Sequence, residues 1–281
     1  MNYETIPGYL IAESPIHHGG DEKNGNIATI RRISWLVDGQ REEVPVISGN
    51  SIRGLLRRMI MSDMLDQVGY TLESTKLYHL LFAGGTLESV DSKDAGAINL
   101  ARKKEIRETL PPLSLLGTAI GNQMIEGKMK CGIAIPVCRE LAGSIPPVVD
   151  GVAAAQIGLS LHELQSEDFM TRKDDLHDDR GEDERAHQMI VHFETIVPGT
   201  VFYHSFTLQG ATEVERAVLG RGIELWRKNP YVGGKGGTGY GKVRICYAMP
   251  APDHDPYQTY LDEHKDEVVA TLQDLEGRIG K

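Results

Sequence analysis

The stretch NPYVGGKGGTGYGKV, residues 229–243, places six glycines in the nine positions from Gly233 to Gly241. Lys235, Thr238 and Lys242 stand among and beside them. Glycine costs folding entropy wherever it is placed, so a cluster this dense implies that something approaches the backbone closely. Successive bare N–H groups form a concave nest for an anion, and a long, evenly charged phosphodiester chain suits such a surface. Gly234, Lys235, Gly236, Gly237, Thr238 and Lys242 are the candidates here. By letters alone, Gly234-x-Gly236-x-x-Gly239 fits a dinucleotide fingerprint, and Gly236-x-x-x-x-Gly241-Lys242 fits most of a phosphate-binding P-loop. Both motifs require a strand before the loop and a helix after it. Here a helical pattern comes first and a strand pattern follows, so neither match carries weight. The competing explanation is a tight connection packed beneath a neighbouring element.

A second basic cluster lies in SGNSIRGLLRR, residues 48–58. Ser48 or Asn50 can cap a helix. Arg53 and Arg57 fall one turn apart, with Arg58 beside them, on the face expected opposite the apolar stripe. Arginines near a helix N-terminus are mildly unfavourable, because the dipole there is already positive. A bound anion reverses that penalty, and Asn50 and Ser51 give it a small, polar approach. Solvated arginines are the plainer explanation. Arg31 and Arg32 add a third basic pair, of which one faces each side of a strand.

HHGGD, residues 17–21, supplies His17, His18 and Asp21. These types serve as metal ligands, or a histidine serves as general base on an RNA ribose. Adjacent histidines seldom converge on one ion and no matching cluster occurs elsewhere, so no metal and no cofactor are expected. A glycine-bounded loop that sets His17 or His18 against a ligand fits better. His162, His177, His187, His192 and His204 are scattered, without ligand spacing.

The elements that must position these groups belong to a chain of 281 residues, 40% hydrophobic and 25% charged, an ordinary globular composition. No apolar run is long enough to cross a bilayer and no signal peptide is evident, so a cytoplasmic protein is expected. Cys131, Cys138 and Cys246 read as reduced, buried thiols. The formal charge of −10 argues against a nucleic-acid partner until its distribution is considered. Residues 161–185 carry a net −6 and residues 251–281 a net −5, which leaves the remainder close to neutral. Both acidic segments read as solvated faces, the second as a polar tail with helical potential.

Periodicity predicts a strand over 3–12, a polar loop to 26, and a strand over 27–37 returning through the Asp38-Gly39 turn. A helix follows from about 50, and a second over 72–82. Residues 84–110 are charged and ambiguous, LPPLSLLGTAIG reads as an apolar turn, and MKCGIAIPVCRE as a strand. The stretch 140–188 looks inserted. MIVHFETI and VFYHSFTL, joined by Val197-Pro198-Gly199-Thr200, predict a hairpin. ATEVERAVLGRGIELWRKN is an amphipathic helix with Val214, Val218, Ile223 and Trp226 inward, ending at Asn229-Pro230. This order predicts an α+β fold, with helices on one face of a largely antiparallel sheet and a ferredoxin-like, RRM-like core.

VPVISGNSIRGLLRR, LSLLGT (113–118), ETIVPGTVF (194–202) and GGKGGTGYGKV, in that order, resemble the RAMP superfamily of CRISPR-associated proteins. More narrowly, the chain is similar to the backbone subunit (the Cas-seven type) of effector complexes, nearest the type IV form and next the type III form. The resemblance spans about residues 9 to 247. It implies a hand-shaped RRM-like palm with a finger insertion at 84–110, a thumb at 160–188 and an acidic C-terminal tail at 251–281. It implies no enzyme activity of its own. The partners it implies are a CRISPR guide RNA, head-to-tail copies of the chain in a helical filament, other effector subunits, and a target nucleic acid reached by base pairing.

By position, the resemblance assigns guide phosphates to Asn50, Ser51, Arg53 and Arg57 and to the loop around Lys235 and Thr238. Phe169 and Met170 become candidates to wedge between bases, with Arg172 and Lys173 on phosphates. A local anchor for a loop is the alternative for Phe169. His17, Arg31 and Ser48 complete the expected RNA-facing set. Type III backbone subunits cut target RNA with an aspartate near the second strand. That place here holds Thr29, Ile30 and Arg31, and Asp21 is the one acid close enough to substitute. The expected protein binds without cutting. The competing expectation is a metal-independent RNA-processing endonuclease of the same superfamily, with His17 or His18 as base. A nucleotide-binding module is the third.

Overall fold

The structure, a computed structural model, describes residues 2–85, 100–120, 123–146, 158–173, 188–247 and 255–279. The chain runs through β1 (Tyr3–Ala12), β2 (Gly19–Asn24), β3 (Ile27–Ile30), β4 (Arg32–Val37) and β5 (Gln40–Pro45) into α1 (Gly49–Val68). A single turn, α2 (Thr75–Tyr78), is prolonged by a π-type turn at His79–Ala83. Next come α3 (Leu100–Thr109), α4 (Pro111–Leu116), β6 (Thr118–Ile120), β7 (Gln123–Ile125), β8 (Met129–Cys131) and β9 (Ile135–Pro136). The remainder comprises β10 (Gln165–Lys173), β11 (Gln188–Ile196), β12 (Val201–Gln209), α5 (Glu213–Lys228), β13 (Val243–Tyr247), α6 (Pro256–Glu263) and α7 (Lys265–Ile279).

Alternation along β1 buries Ile6, Leu10 and Ala12 and leaves Thr5 and Pro7 outside. Its antiparallel partner β12 aligns Phe206 with Ile6 and Phe202 with Leu10, so both strands present one apolar face. The main sheet runs β13-β1-β12-β8, with β9 also bonded to β12. On its apolar face lie α1 and α5, which share one core with it through Leu56, Ile60, Val218, Ile223 and Trp226. Both helices are specified locally. Ser48 caps α1 by accepting the Ser51 N–H, and Thr212 with Glu215 forms a capping box on α5. Gly222 lets the helices approach, since a Cβ there would lie 2.7 Å from Ile60 Cδ1.

The fold is α+β with largely antiparallel sheets, as expected, but several local expectations are corrected. β11 and β12 do not pair with each other. β12 belongs to the main sheet, whereas β11 joins a second sheet of order β10-β11-β3-β2, and the Pro198-Gly199 turn carries the chain between them. The expected strand over 27–37 breaks at Arg31, with β3 in the second sheet and β4 pairing β5. The polar loop after β1 contains β2, and the apolar turn at 110–117 is the helix α4, started by Pro111 and Pro112. The C-terminal segment is not simply a solvated tail. Tyr257, Leu261, Val268, Leu272 and Leu275 of α6 and α7 are buried in the main core. Of the finger expectation, residues 86–99 lie outside the described residues, and α3 buries Ile106 in the core.

Candidate nucleic-acid interface

The six glycines of the loop divide by what the fold asks of them. A Cβ on Gly241 would lie 2.1 Å from the Val232 carbonyl oxygen, and one on Gly233 2.7 Å from that of His17. Both also have positive φ, at 84° and 72°, and Gly239 has φ 94°. Gly234, Gly236 and Gly237 differ. None is in the left-handed region, a Cβ on Gly234 or Gly236 would meet nothing nearer than 3.7 Å, and one on Gly237 nothing within 4 Å. All three are exposed. Close packing at Gly233 and Gly241 and the left-handed backbone at Gly239 explain half of the cluster. The other half keeps exposed main chain bare with no internal reason.

The loop is tied to the start of α1 through His17 and His18. The Gly234 N–H donates to the His17 carbonyl oxygen at 2.8 Å, and the Ser48 N–H donates to His18 Nε2 at 3.2 Å. His18 therefore carries its ring proton on Nδ1, and burial, with Arg31 and His17 nearby, holds its pKa below the ordinary histidine value. The Arg31 N–H donates to the His18 carbonyl at 2.7 Å, which brings Arg31, exposed, to the same place. His17 Nδ1 donates to the Glu194 carbonyl at 2.8 Å. Arg32, the other member of the pair, is turned inward onto Glu194 at 2.8 Å. Contrary to expectation, His17 is itself buried, its ring packed on Phe193, so it supports the loop from beneath and is not presented on the surface. Arg31, Ser48 and the glycine loop form one surface, continued by the exposed Asn50 and half-buried Ser51.

Arg57 does not lie on a solvent face. It is 6% exposed, and its guanidinium donates to the carbonyls of Leu81 (3.3 Å), Leu116 (2.8 Å) and Gly117 (2.7 Å). Burial and the neighbouring Arg53 lower its pKa to about 10. It holds together the turns that follow α2 and α4. Arg53, half-buried, also donates to the Leu116 carbonyl. With Arg57 and Lys130 it lines a shallow cavity of about 520 Å³ beside Gly117 and Met124.

The β10–β11 hairpin packs against the glycine loop. Phe193, fully buried, is the centre of the contact: His17 and Tyr240 meet its ring edge-to-face at 5.2 and 5.3 Å, and Lys235 Nζ lies 4.2 Å from its centroid. Lys235 Nζ also lies 3.7 Å from Met170 Sδ. Tyr240 Oη donates to Asp168 at 2.7 Å, and that bond raises the phenol pKa to about 12. Phe169 and Met170 cannot wedge at one step, because neighbours on a strand face opposite sides. Met170 faces the glycine loop, while Phe169, 59% exposed, faces away beside His192 across the ladder. Asp168, Phe193 and Tyr240 were not singled out by the sequence, although Tyr240 lies inside the glycine stretch. The side chains of Arg172, Lys173 and Asp21 lie outside the described residues. Lys242 is exposed and pairs with Glu13 at 3.4 Å, and the exposed Thr238 donates its hydroxyl to the Lys235 carbonyl at 2.9 Å. Among the described residues no His/Cys/Asp/Glu group suited to a metal occurs, and no helix is long and apolar enough to cross a membrane.

Fold and surface together define an α+β protein that presents bare main chain and cations side by side. No protein-family profile matches the sequence, and no curated protein matches it. A chain of a solved structure titled "Type IV-B CRISPR Complex" has a similar fold, with a TM-score of 0.62 at 19% identity. The match covers 91% of this chain and 96% of that one.

Proposed function

We propose that the protein is a RAMP-superfamily backbone subunit of a CRISPR effector complex, nearest the type IV form, that binds the guide RNA by its sugar-phosphate chain. One observation carries the reading: Gly234, Gly236 and Gly237 are bare and exposed where the fold requires no glycine. A ligand from outside supplies the missing requirement, and amide groups beside Lys235 and Arg31 suit phosphate. The sheet order β13-β1-β12-β8, with α1 after β1 and α5 after β12, supports an RRM-like palm of ferredoxin-like order. The likeness to a chain of a Type IV-B CRISPR complex supports the same class.

In this reading copies stack head to tail along one guide, with other effector subunits completing the assembly. Base edges stay free, so that pairing with the guide selects the target nucleic acid. The chain binds and does not cut. His17 and His18 hold the loop and the helix start together through hydrogen bonds, and they act there as scaffolding. Purification of the protein from its host tests the reading. Multimers that carry RNA of uniform length are expected, and an RNA-free monomer would contradict it. Incubation of the assembly with complementary RNA and a divalent metal is expected to leave the RNA intact. Regular cleavage abolished by Asp21→Ala would overturn the non-cutting part.

A further inference from the structure

α3 presents Leu100, Lys103, Lys104 and Arg107 on one helical face. That face forms one wall of a groove of about 650 Å³, and the start of α5 with Val214 and Glu215 forms another. Lys128 and Tyr260 also line it. Two of its four cations have carboxylate partners: Lys128 with Glu215 at 2.8 Å, and Lys104 with Glu108 at 3.8 Å. Lys103 has no ion pair among the described residues. Arg107 gives one nitrogen to the Glu126 carbonyl at 2.7 Å, and its Nε is buried with no hydrogen-bond partner. A buried guanidinium N–H without an acceptor is costly, and Arg107 has no carboxylate partner among the described residues, so its charge and that of Lys103 stand uncompensated on this wall. The groove also has aliphatic lining, from Pro111, Val214 and Leu100, the last of these 72% exposed.

We propose that this groove receives the acidic segment 174–187 of a second copy of the chain. Those fourteen residues hold seven acids and two arginines, and Leu176 stands between Asp174-Asp175 and Asp178-Asp179. A leucine flanked by carboxylate pairs complements an aliphatic strip flanked by Lys103 and Arg107. A bare phosphate chain has no group for that strip. The segment leaves from Lys173 and returns at Gln188, which are paired at the end of the β10–β11 hairpin, and no residue of β10 or β11 lines the groove. Donor and acceptor surfaces therefore sit on different elements, as a head-to-tail contact requires. The contact gives the concentrated acidity of 161–185 a role beside an RNA-bound face: it meets protein, not the guide. The proposal rests on the reading that copies stack on RNA.

A charge exchange in the full-length protein tests it. One variant carries Lys103→Glu and Arg107→Glu. A second carries Asp174→Lys, Asp175→Lys, Asp178→Lys and Asp179→Lys. Sedimentation on a long single-stranded RNA reads copy–copy association, and binding to an RNA short enough for one copy reads the guide site. Each variant alone is expected to lose association by at least about ten-fold, with binding to the short RNA unchanged. Lys103→Glu alone gives a smaller loss in the same direction and guards against misfolding of the double variant. An equimolar mixture of the two charge-reversed chains is expected to associate again, because every contact then pairs opposite charges. Wild-type association by either reversed chain, or a mixture that stays apart, overturns the proposal. Loss of short-RNA binding on reversal of the groove assigns the groove to nucleic acid and also overturns it. A wild-type chain that binds the short RNA but never associates on the long one contradicts the stacked-copy reading itself.

Discussion

The Gly234 N–H donates to the His17 carbonyl oxygen at 2.8 Å, and the very next residue, His18, accepts the Ser48 N–H at its ring. Residues more than 180 positions apart, Ser48 and Gly234, are thereby held to one dipeptide. One main-chain bond and one bond to an imidazole ring thus join the glycine loop and the opening of α1 before any ligand is present.

Substituting the glycines one at a time separates packing from binding. Gly241→Ala places a methyl against the Val232 carbonyl at positive φ, and a loss of about 2–3 kcal/mol or more in urea denaturation is expected. Gly237→Ala meets open space, so stability is expected to be unchanged or to rise by about 0.5 kcal/mol. Only the second substitution is expected to weaken RNA binding in a protein that remains fully folded.

Arg53 and Arg57, one turn apart, are expected to behave differently. Arg57→Ala leaves three carbonyl acceptors without their buried donor, at a cost of about 1–3 kcal/mol or more. Arg57→Lys restores little, since one ammonium cannot span the same three oxygens. Arg53→Ala is expected to keep the thermal midpoint near wild type and to weaken RNA binding evenly across sequences.

That contrast marks how far the sequence could be read. The glycine cluster, the Ser48 cap and the stripe of Ile52, Leu56 and Ile60 are local patterns, and local patterns report local structure. The helical period alone turns Arg57 outward, because its burial depends on carbonyls at 81, 116 and 117, which no helical period encodes. The β11–β12 hairpin failed for the same reason. A Pro-Gly turn between two β-rich runs specifies a reversal, but Phe193 faces Lys235 and Tyr240, while Phe202 aligns with Leu10 in another sheet. Nonlocal partners decided the sheet. Phe193 and Asp168 were invisible as site residues because their role exists only once the hairpin lies against the loop.

The Tyr240–Asp168 bond is expected to fix that hairpin. Tyr240→Phe removes a hydrogen bond to a carboxylate, worth about 1 kcal/mol at this partly exposed place, and keeps the ring contact with Phe193. Hydrogen exchange is expected to quicken in β10 and β11 and to stay unchanged in α1 and α5. Uniform quickening would show that the bond serves the whole fold instead.

His204 makes stability depend on pH. It is fully buried in the main sheet, with Nε2 donating to the Gly132 carbonyl at 3.1 Å and Nδ1 accepting from Tyr247 Oη at 2.6 Å. Burial lowers its pKa to about 4. The unfolded chain, near the ordinary 6.5, therefore binds the extra proton first as pH falls. Stability from this residue is complete above about pH 6.5 and declines towards pH 4, by about 2 kcal/mol at pH 5. Urea midpoints at pH 7 and pH 5 measure the decline, and histidine resonances that leave His204 neutral at pH 5 assign it.

The salt dependence of RNA affinity tests the central claim most directly. Binding of the full chain to two single-stranded RNAs of unrelated sequence is followed as salt is raised. With Lys235, Arg31, Arg53 and Lys242 on phosphates, the logarithm of the affinity is expected to fall linearly with the logarithm of salt, with a slope of about −3 for both sequences. An affinity that ignores salt, or that strongly prefers one sequence, would contradict a surface made to hold the backbone of an RNA.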